Sequence, residues 1–169
     1  MSINEMLIEA FSSVPPWLST VLLGAMPVAE LRGAIPVAIG AYGMTPVEAY
    51  LLAVTGNMLP VIPLLLFLDP VSSYLRQFKS WDRFFSWLFN RTRRTHSERF
   101  ERYGTWALAM FVAIPLPVTG AWTGCAAAFV FGIKFRYALA AICVGLLISG
   151  VVTTLVTLAG IGVIDLATG

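Results

Sequence analysis

Residues 103–133 read YGTWALAMFVAIPLPVTGAWTGCAAAFVFGI and contain no Asp, Glu, Lys or Arg. The length of this run decides how it is read. As one straight helix it would extend about 46 Å at about 1.5 Å per residue, too long for a single crossing of a hydrocarbon core about 30 Å thick. Two crossings would need about 40 residues. Its centre, Ile114-Pro115-Leu116-Pro117-Val118-Thr119-Gly120-Ala121-Trp122-Thr123-Gly124, also opposes a straight helix. Pro115 and Pro117 each remove a backbone donor and clash with the preceding turn. A hairpin that enters the bilayer partway, turns at the prolines and leaves on the same side satisfies both the length and the breakers.

Three more runs lack charged residues: 10–29, 49–68 and 137–164, of 20, 20 and 28 residues. Each is long enough to enter lipid. The composition agrees, with 58% hydrophobic and only 12% charged residues among 169, where a soluble domain is about a quarter charged. The expected class is an all-α integral membrane protein, multi-pass, in the cell membrane. Residues 49–68 make one span, and 137–164 one span with a tail. Residues 10–47 hold two apolar halves around Met26-Pro27-Val28-Ala29-Glu30-Leu31-Arg32-Gly33-Ala34-Ile35-Pro36. Their total again falls short of two spans, and broken backbone is tolerated at membrane depth only where protein or a water-filled cavity covers it. Residues 1–9 carry Glu5 and Glu9 in place of a basic leader and read as a short amphipathic segment, so the first apolar segment is expected to stay in the mature protein.

The halves align. At an offset of 89, Ala38, Gly43, Ala49 and Gly56 match Ala127, Gly132, Ala138 and Gly145, while Pro27 matches Pro115 at 88. The order of elements also recurs: broken hairpin, glycine turn, single span. Between the halves lie 8 of the 11 Lys and Arg residues, from Arg76 to Arg102. The positive-inside rule places residues 69–102 in the cytoplasm. Val71, Tyr74, Leu75, Phe78, Trp81, Phe85 and Leu88 recur at helical spacing with basic residues opposite, the pattern of a helix lying in the headgroup layer or of a plain connector. Arg91 to Arg102 read as a short solvated turn. The expected architecture is a single membrane domain: an inverted repeat of re-entrant helical hairpin plus transmembrane helix, with a basic amphipathic cytoplasmic helix. Repeat one covers about 14–68, the linker about 70–102 and repeat two about 103–162. Inverted repeats are the architecture of many secondary transporters.

Glu30 and Arg32 are the sharpest chemical signal, because ionisable groups at membrane depth face a cavity or a partner. Positions i and i+2 do not share a helix face, so a direct helical salt bridge between them is not expected. An irregular turn, or partners in the other hairpin, would accommodate them. Pro36 closes this centre. Thr119, Gly120, Trp122 and Thr123, with Pro115 and Pro117, are the corresponding candidates in the second hairpin, although Gly120-x-x-x-Gly124 serves equally as a helix-packing face. Helix N-termini after each break attract anions. Asn57 is a further polar group within a span, for which interhelical hydrogen bonding is the simpler role. Cys125 and Cys143 read as buried thiols, Ser149-Gly150 as a packing site, and His96 as a solvated loop residue. No cofactor or metal site is implied. There is no nucleophile motif, zinc-protease motif or intramembrane carboxylate pair, so an enzyme is not expected.

Glu30-Leu31-Arg32-Gly33-Ala34-Ile35-Pro36, Gly56-Asn57, Tyr103-Gly104 and the 114–124 segment together resemble the small multidrug export protein family of bacteria and archaea, across nearly the whole chain. That family is grouped by fold with the DedA-type membrane proteins, whose two re-entrant hairpins each precede a transmembrane helix and which are implicated in moving lipid phosphates. The resemblance implies that Glu30 and Arg32 stand where DedA-type proteins carry essential acidic and arginine residues. The second hairpin here has no arginine of its own.

The expected function is a small secondary transporter, ion-coupled, for an anionic or amphipathic small molecule or lipid phosphate. It has membrane lipids around it, no nucleic-acid partner, and a homo-oligomeric assembly. The rival class is a non-transporting membrane scaffold or lipid-binding accessory protein.

Overall fold

The computed structural model describes residues 14–75, 98–115 and 119–168. Seven α-helices lie among these residues: α1 (Pro16–Ala25), α2 (Glu30–Gly40), α3 (Pro46–Met58), α4 (Val61–Leu75), α5 (Glu98–Ala113), α6 (Ala121–Phe131) and α7 (Phe135–Thr168). No strand occurs among the described residues.

Proline places several of the boundaries. A residue before proline is pushed out of the α region. Pro15, Met26 and Thr45 each precede a proline and have ψ of 139°, 138° and 148°. Pro16 and Pro46 then open α1 and α3, where a missing N–H costs nothing. Thr45 adds a capping box: its hydroxyl accepts the Glu48 N–H, and the Glu48 carboxylate accepts the Thr45 N–H at 3.1 Å. Met26 ends α1 because Pro27 follows it. At the other turns glycine decides, since Gly43 (φ 63°) and Gly132 (φ 66°) take left-handed backbone that costs other residues.

Two stretches are long and apolar enough to cross a membrane, Pro46–Leu68 and Phe135–Gly162. Only 28% and 39% of their most apolar portions are buried, so neither is the core helix of a soluble protein. Trp17, Val47, Leu51, Phe67, Trp106 and Leu155 point outward. Such an apolar exterior suits lipid. The first stretch turns at Leu59–Pro60 before continuing as α4. Arg99 and Arg102 lie inside α5, so the turn expected over 91–102 is replaced from residue 98 onward by helix. Residues 91–97, most of the expected amphipathic helix and the N-terminal segment 1–13 fall outside the described residues.

The contacts divide the chain into two compact units. Unit 1 holds the described residues up to Leu59 and from Leu146 onward. Its core is the packing of α1 on α2 and α3. Lipid is as apolar as leucine, so helices in a bilayer associate through close packing and small residues. A Cβ on Gly24 would lie 2.6 Å from the Ala53 carbonyl oxygen, and one on Gly56 would run into the Val21 carbonyl. Gly150 lies under the Tyr50 ring and Val54, and the Tyr50 hydroxyl donates to the Leu147 carbonyl at 3.2 Å. The small-residue role expected for Ser149-Gly150 is what Gly150 performs.

Unit 2 holds the described residues from Pro60 to Gly145, with α6 packed on α4 and α5. Gly124 admits Val112, and Gly145 admits the Ala109 carbonyl and Val112. The Cys125 thiol, buried as expected, faces the Val61 carbonyl at 3.9 Å.

The burial patterns of the two units recur. The buried positions Ser19, Thr20, Leu23 and Gly24 of α1 reappear 89 residues later as Leu108, Ala109, Val112 and Ala113 of α5. Ala49, Ala53 and Gly56 reappear at the same offset as the buried Ala138, Ile142 and Gly145. Leu31, Ala34, Ile35 and Ala38 of α2 correspond to Ala121, Gly124, Cys125 and Ala128 of α6 at an offset of 90. The left-handed glycines 43 and 132 are also 89 apart.

Candidate functional site

The site begins where Pro27 stops α1. Residues 26–29 form the break, and α2 starts at Glu30. The Glu30 N–H returns to the Met26 carbonyl at 3.1 Å, closing the turn. Glu30 has φ 47°, the only positive φ outside glycine among the described residues. A left-handed side-chain-bearing residue is strained, and such positions concentrate at functional sites.

That conformation explains an outcome the spacing did not lead us to expect. Arg32 Nη2 donates to Glu30 Oε2 at 3.2 Å, a direct ion pair across one intervening residue. In regular helix the two side chains would diverge. Left-handed backbone at Glu30 swings its carboxylate round to the Arg32 face. The Glu30 side chain is 5% exposed and that of Arg32 27%, so the carboxylate is enclosed while the guanidinium keeps an edge open. A buried carboxylate with a half-accessible cation is suited to holding or exchanging an anionic group.

Pro36 does not belong to the break. It lies inside α2, because the missing N–H removes one helical bond while the rest of the turn continues. Asn57 is buried in α3 within the same unit. The interhelical hydrogen bond expected of it is absent: neither Nδ2 nor Oδ1 has a partner among the described residues. Gly24 of α1 lies against the Asn57 backbone, where a Cβ would come within 3.3 Å of its nitrogen.

The second hairpin's candidates belong to unit 2. Pro115 is partly buried just after α5, and Pro117 lies outside the described residues. The Thr119 hydroxyl donates to the Ile114 carbonyl, tying the two sides of the break together. Gly120 caps α6 in extended backbone, and the Thr123 hydroxyl returns to its carbonyl at 3.3 Å. Trp122 lines an open cavity of about 420 Å³ with Pro60, Pro63, Leu64, Phe67 and Leu68. This cavity is apolar and suits a hydrocarbon chain or ring better than a charged group. Gly124 serves helix packing through Val112 and Ile142. No cluster of His, Cys, Asp or Glu able to hold a metal occurs among the described residues.

Sequence reasoning passed over Tyr42 and Thr153, whose hydroxyl oxygens are also buried without a partner among the described residues. Only the burial of their faces marks them, and nothing in the residue spacing does.

Residues 30–152 match the family model described as "Putative small multi-drug export protein". The chain belongs to that family. The match starts at Glu30, the first residue of α2, and runs into the second long apolar helix. Family and helices together make this a membrane protein, and the small multidrug export family's name points to transport rather than catalysis. No curated protein and no solved structure matches the chain.

Proposed function

We propose that the chain is a small secondary transporter, ion-coupled, whose binding centre is the turn carrying Glu30 and Arg32. The observation that carries this reading is the enclosed Glu30–Arg32 pair, built on a left-handed residue at a helix break. In that pair the carboxylate occupies the guanidinium. A proton on Glu30 cancels its charge and frees Arg32 for the anionic group of a substrate. Loss of the proton lets Glu30 reclaim Arg32 and expel the anion. The turn is neutral in both conditions, which keeps the cost of charge at membrane depth low. Proton and anion then bind together and travel in the same direction. The cargo is an anionic or amphipathic small molecule or lipid phosphate.

The recurring burial pattern supports a repeat, and the basic linker between the halves supports its inversion, each half a re-entrant hairpin followed by a crossing helix. Residues 69–102, rich in Arg, then lie in the cytoplasm of a multi-pass protein. A chain of 169 residues has little mass to cover two re-entrant hairpins, which favours a homo-oligomer in which copies shelter each other's hairpins. Pro36 and Asn57 in unit 1, and Pro115, Thr119, Gly120, Trp122 and Thr123 in unit 2, are the further residues proposed to meet the cargo.

The test is proton-driven flux of an amphipathic fluorescent anion into proteoliposomes. Glu30→Gln is expected to abolish the dependence on the proton gradient, and Arg32→Ala to reduce uptake at least about tenfold, the loss of roughly 1.4 kcal/mol of binding. Wild-type rates in both variants would sink the assignment.

A further inference from the structure

Asn57 is 0% exposed, and both ends of its carboxamide lack a partner among the described residues. A buried amide without hydrogen bonds is costly, and it weakens whatever packing encloses it. A water bound beside it would need room next to both polar atoms, but the enclosed side chain leaves none. The closed packing of unit 1 is therefore held against a standing penalty.

α1 lies against α3 beside Asn57. A Cβ on Gly24 would lie 3.3 Å from the Asn57 backbone nitrogen and 2.6 Å from the Ala53 carbonyl, and Gly56 meets Val21 backbone. Helix lies on helix here through small residues, without a side-chain interlock. The Thr20 hydroxyl returns to its own helix, at the Pro16 carbonyl, 2.8 Å away. Separating α1 from α3 at Asn57 would hydrate the amide and remove its penalty. The C-terminal end of α1 leads directly into the 26–29 break, where the chain changes direction.

We propose that unit 1 has a second packing, in which the C-terminal half of α1 parts from α3 and the Asn57 carboxamide binds water. The unpaired amide brings the two packings closer in free energy than an apolar residue would. Opening carries water to the turn that bears Glu30. That last step rests on the proposed function, whereas the opening itself does not.

The experiment compares the full chain with its Asn57→Leu variant in lipid nanodiscs, by thermal unfolding and amide hydrogen exchange. Leucine has nearly the same shape and no polar atoms. It is expected to raise the melting temperature by about 2–4 °C and to slow exchange in residues 20–25 and 53–58 at least about threefold. Asn57→Val guards against a misfit of the larger side chain. A rise in melting temperature with either residue supports the proposal, and a fall with both overturns it by revealing a satisfied amide. Gly24→Ala wedges the same contact and is expected to speed exchange in those two segments. Exchange unchanged by Asn57→Leu, or by Gly24→Ala, overturns the second packing. Neither readout requires transport, so failure of the Glu30 assignment would appear only in the flux measurement.

Discussion

Arg32 reaches Glu30 at 3.2 Å across a single residue, because Glu30 sits in left-handed backbone at φ 47°. Two consequences separate the backbone from the charge.

The backbone consequence concerns residue 30 alone. Left-handed backbone costs a side-chain-bearing residue about 1–2 kcal/mol, and glycine almost nothing. Glu30→Gly and Glu30→Ala both remove the ion pair, but only alanine keeps the strain. The glycine variant is expected to be about 1 kcal/mol more stable than the alanine variant in detergent unfolding titrations. Equal stability would mean that residue 30 is not held left-handed.

The charge consequence is a coupling. Arg32→Met leaves an enclosed carboxylate without its cation and should cost about 1–3 kcal/mol, reduced by the partial exposure of Arg32. In a Glu30→Gln background the same change should cost less, with a coupling energy of about 0.5–3 kcal/mol in a double-mutant cycle. Additive effects would show that the pair contributes nothing.

Glycine positions divide by what surrounds them. Gly56 has Val21 backbone where a Cβ would go, whereas Gly160 has open space. Gly56→Ala must push α1 from α3 and is expected to cost about 1–3 kcal/mol or prevent folding. Gly160→Ala should gain about 0.5–1 kcal/mol from helix propensity. Unfolding of the two variants side by side checks the contrast. A mild Gly56→Ala would place α1 further from α3 than described.

Gly43 and Gly132 share a left-handed conformation with open surroundings. Alanine at either meets no clash, so each change should cost about 1–2 kcal/mol through backbone strain alone. Thermal unfolding should give similar losses for the two, and asparagine should restore part of each. A large difference between them would break the correspondence between the two turns.

Much of the fold was legible in the chain. The charge-free runs over 49–68 and 137–164 correspond to the two long apolar helices, and the aligned glycines 43 and 132 are both left-handed turns. Pro27 marks a true break, since it forces Met26 out of the helix. Pro36 misled, because one missing N–H seven residues into α2 does not stop a helix that its neighbours continue to support. The basic linker offered a periodic pattern that ended too late, as Glu98–Arg102 already belong to α5.

The candidate site was legible in composition and hidden in geometry. Glu30, Arg32 and Asn57 could be picked out because polar groups inside apolar runs are costly. Their arrangement followed from contacts that no spacing encodes. The sequence alone determined an all-helical membrane protein with two long apolar stretches, through the lengths of its charge-free runs. Only the tertiary structure decided that Glu30 pairs with Arg32 and that Asn57 has no partner among the described residues. The first depends on one backbone torsion, and the second on how closely α1 and α3 pack.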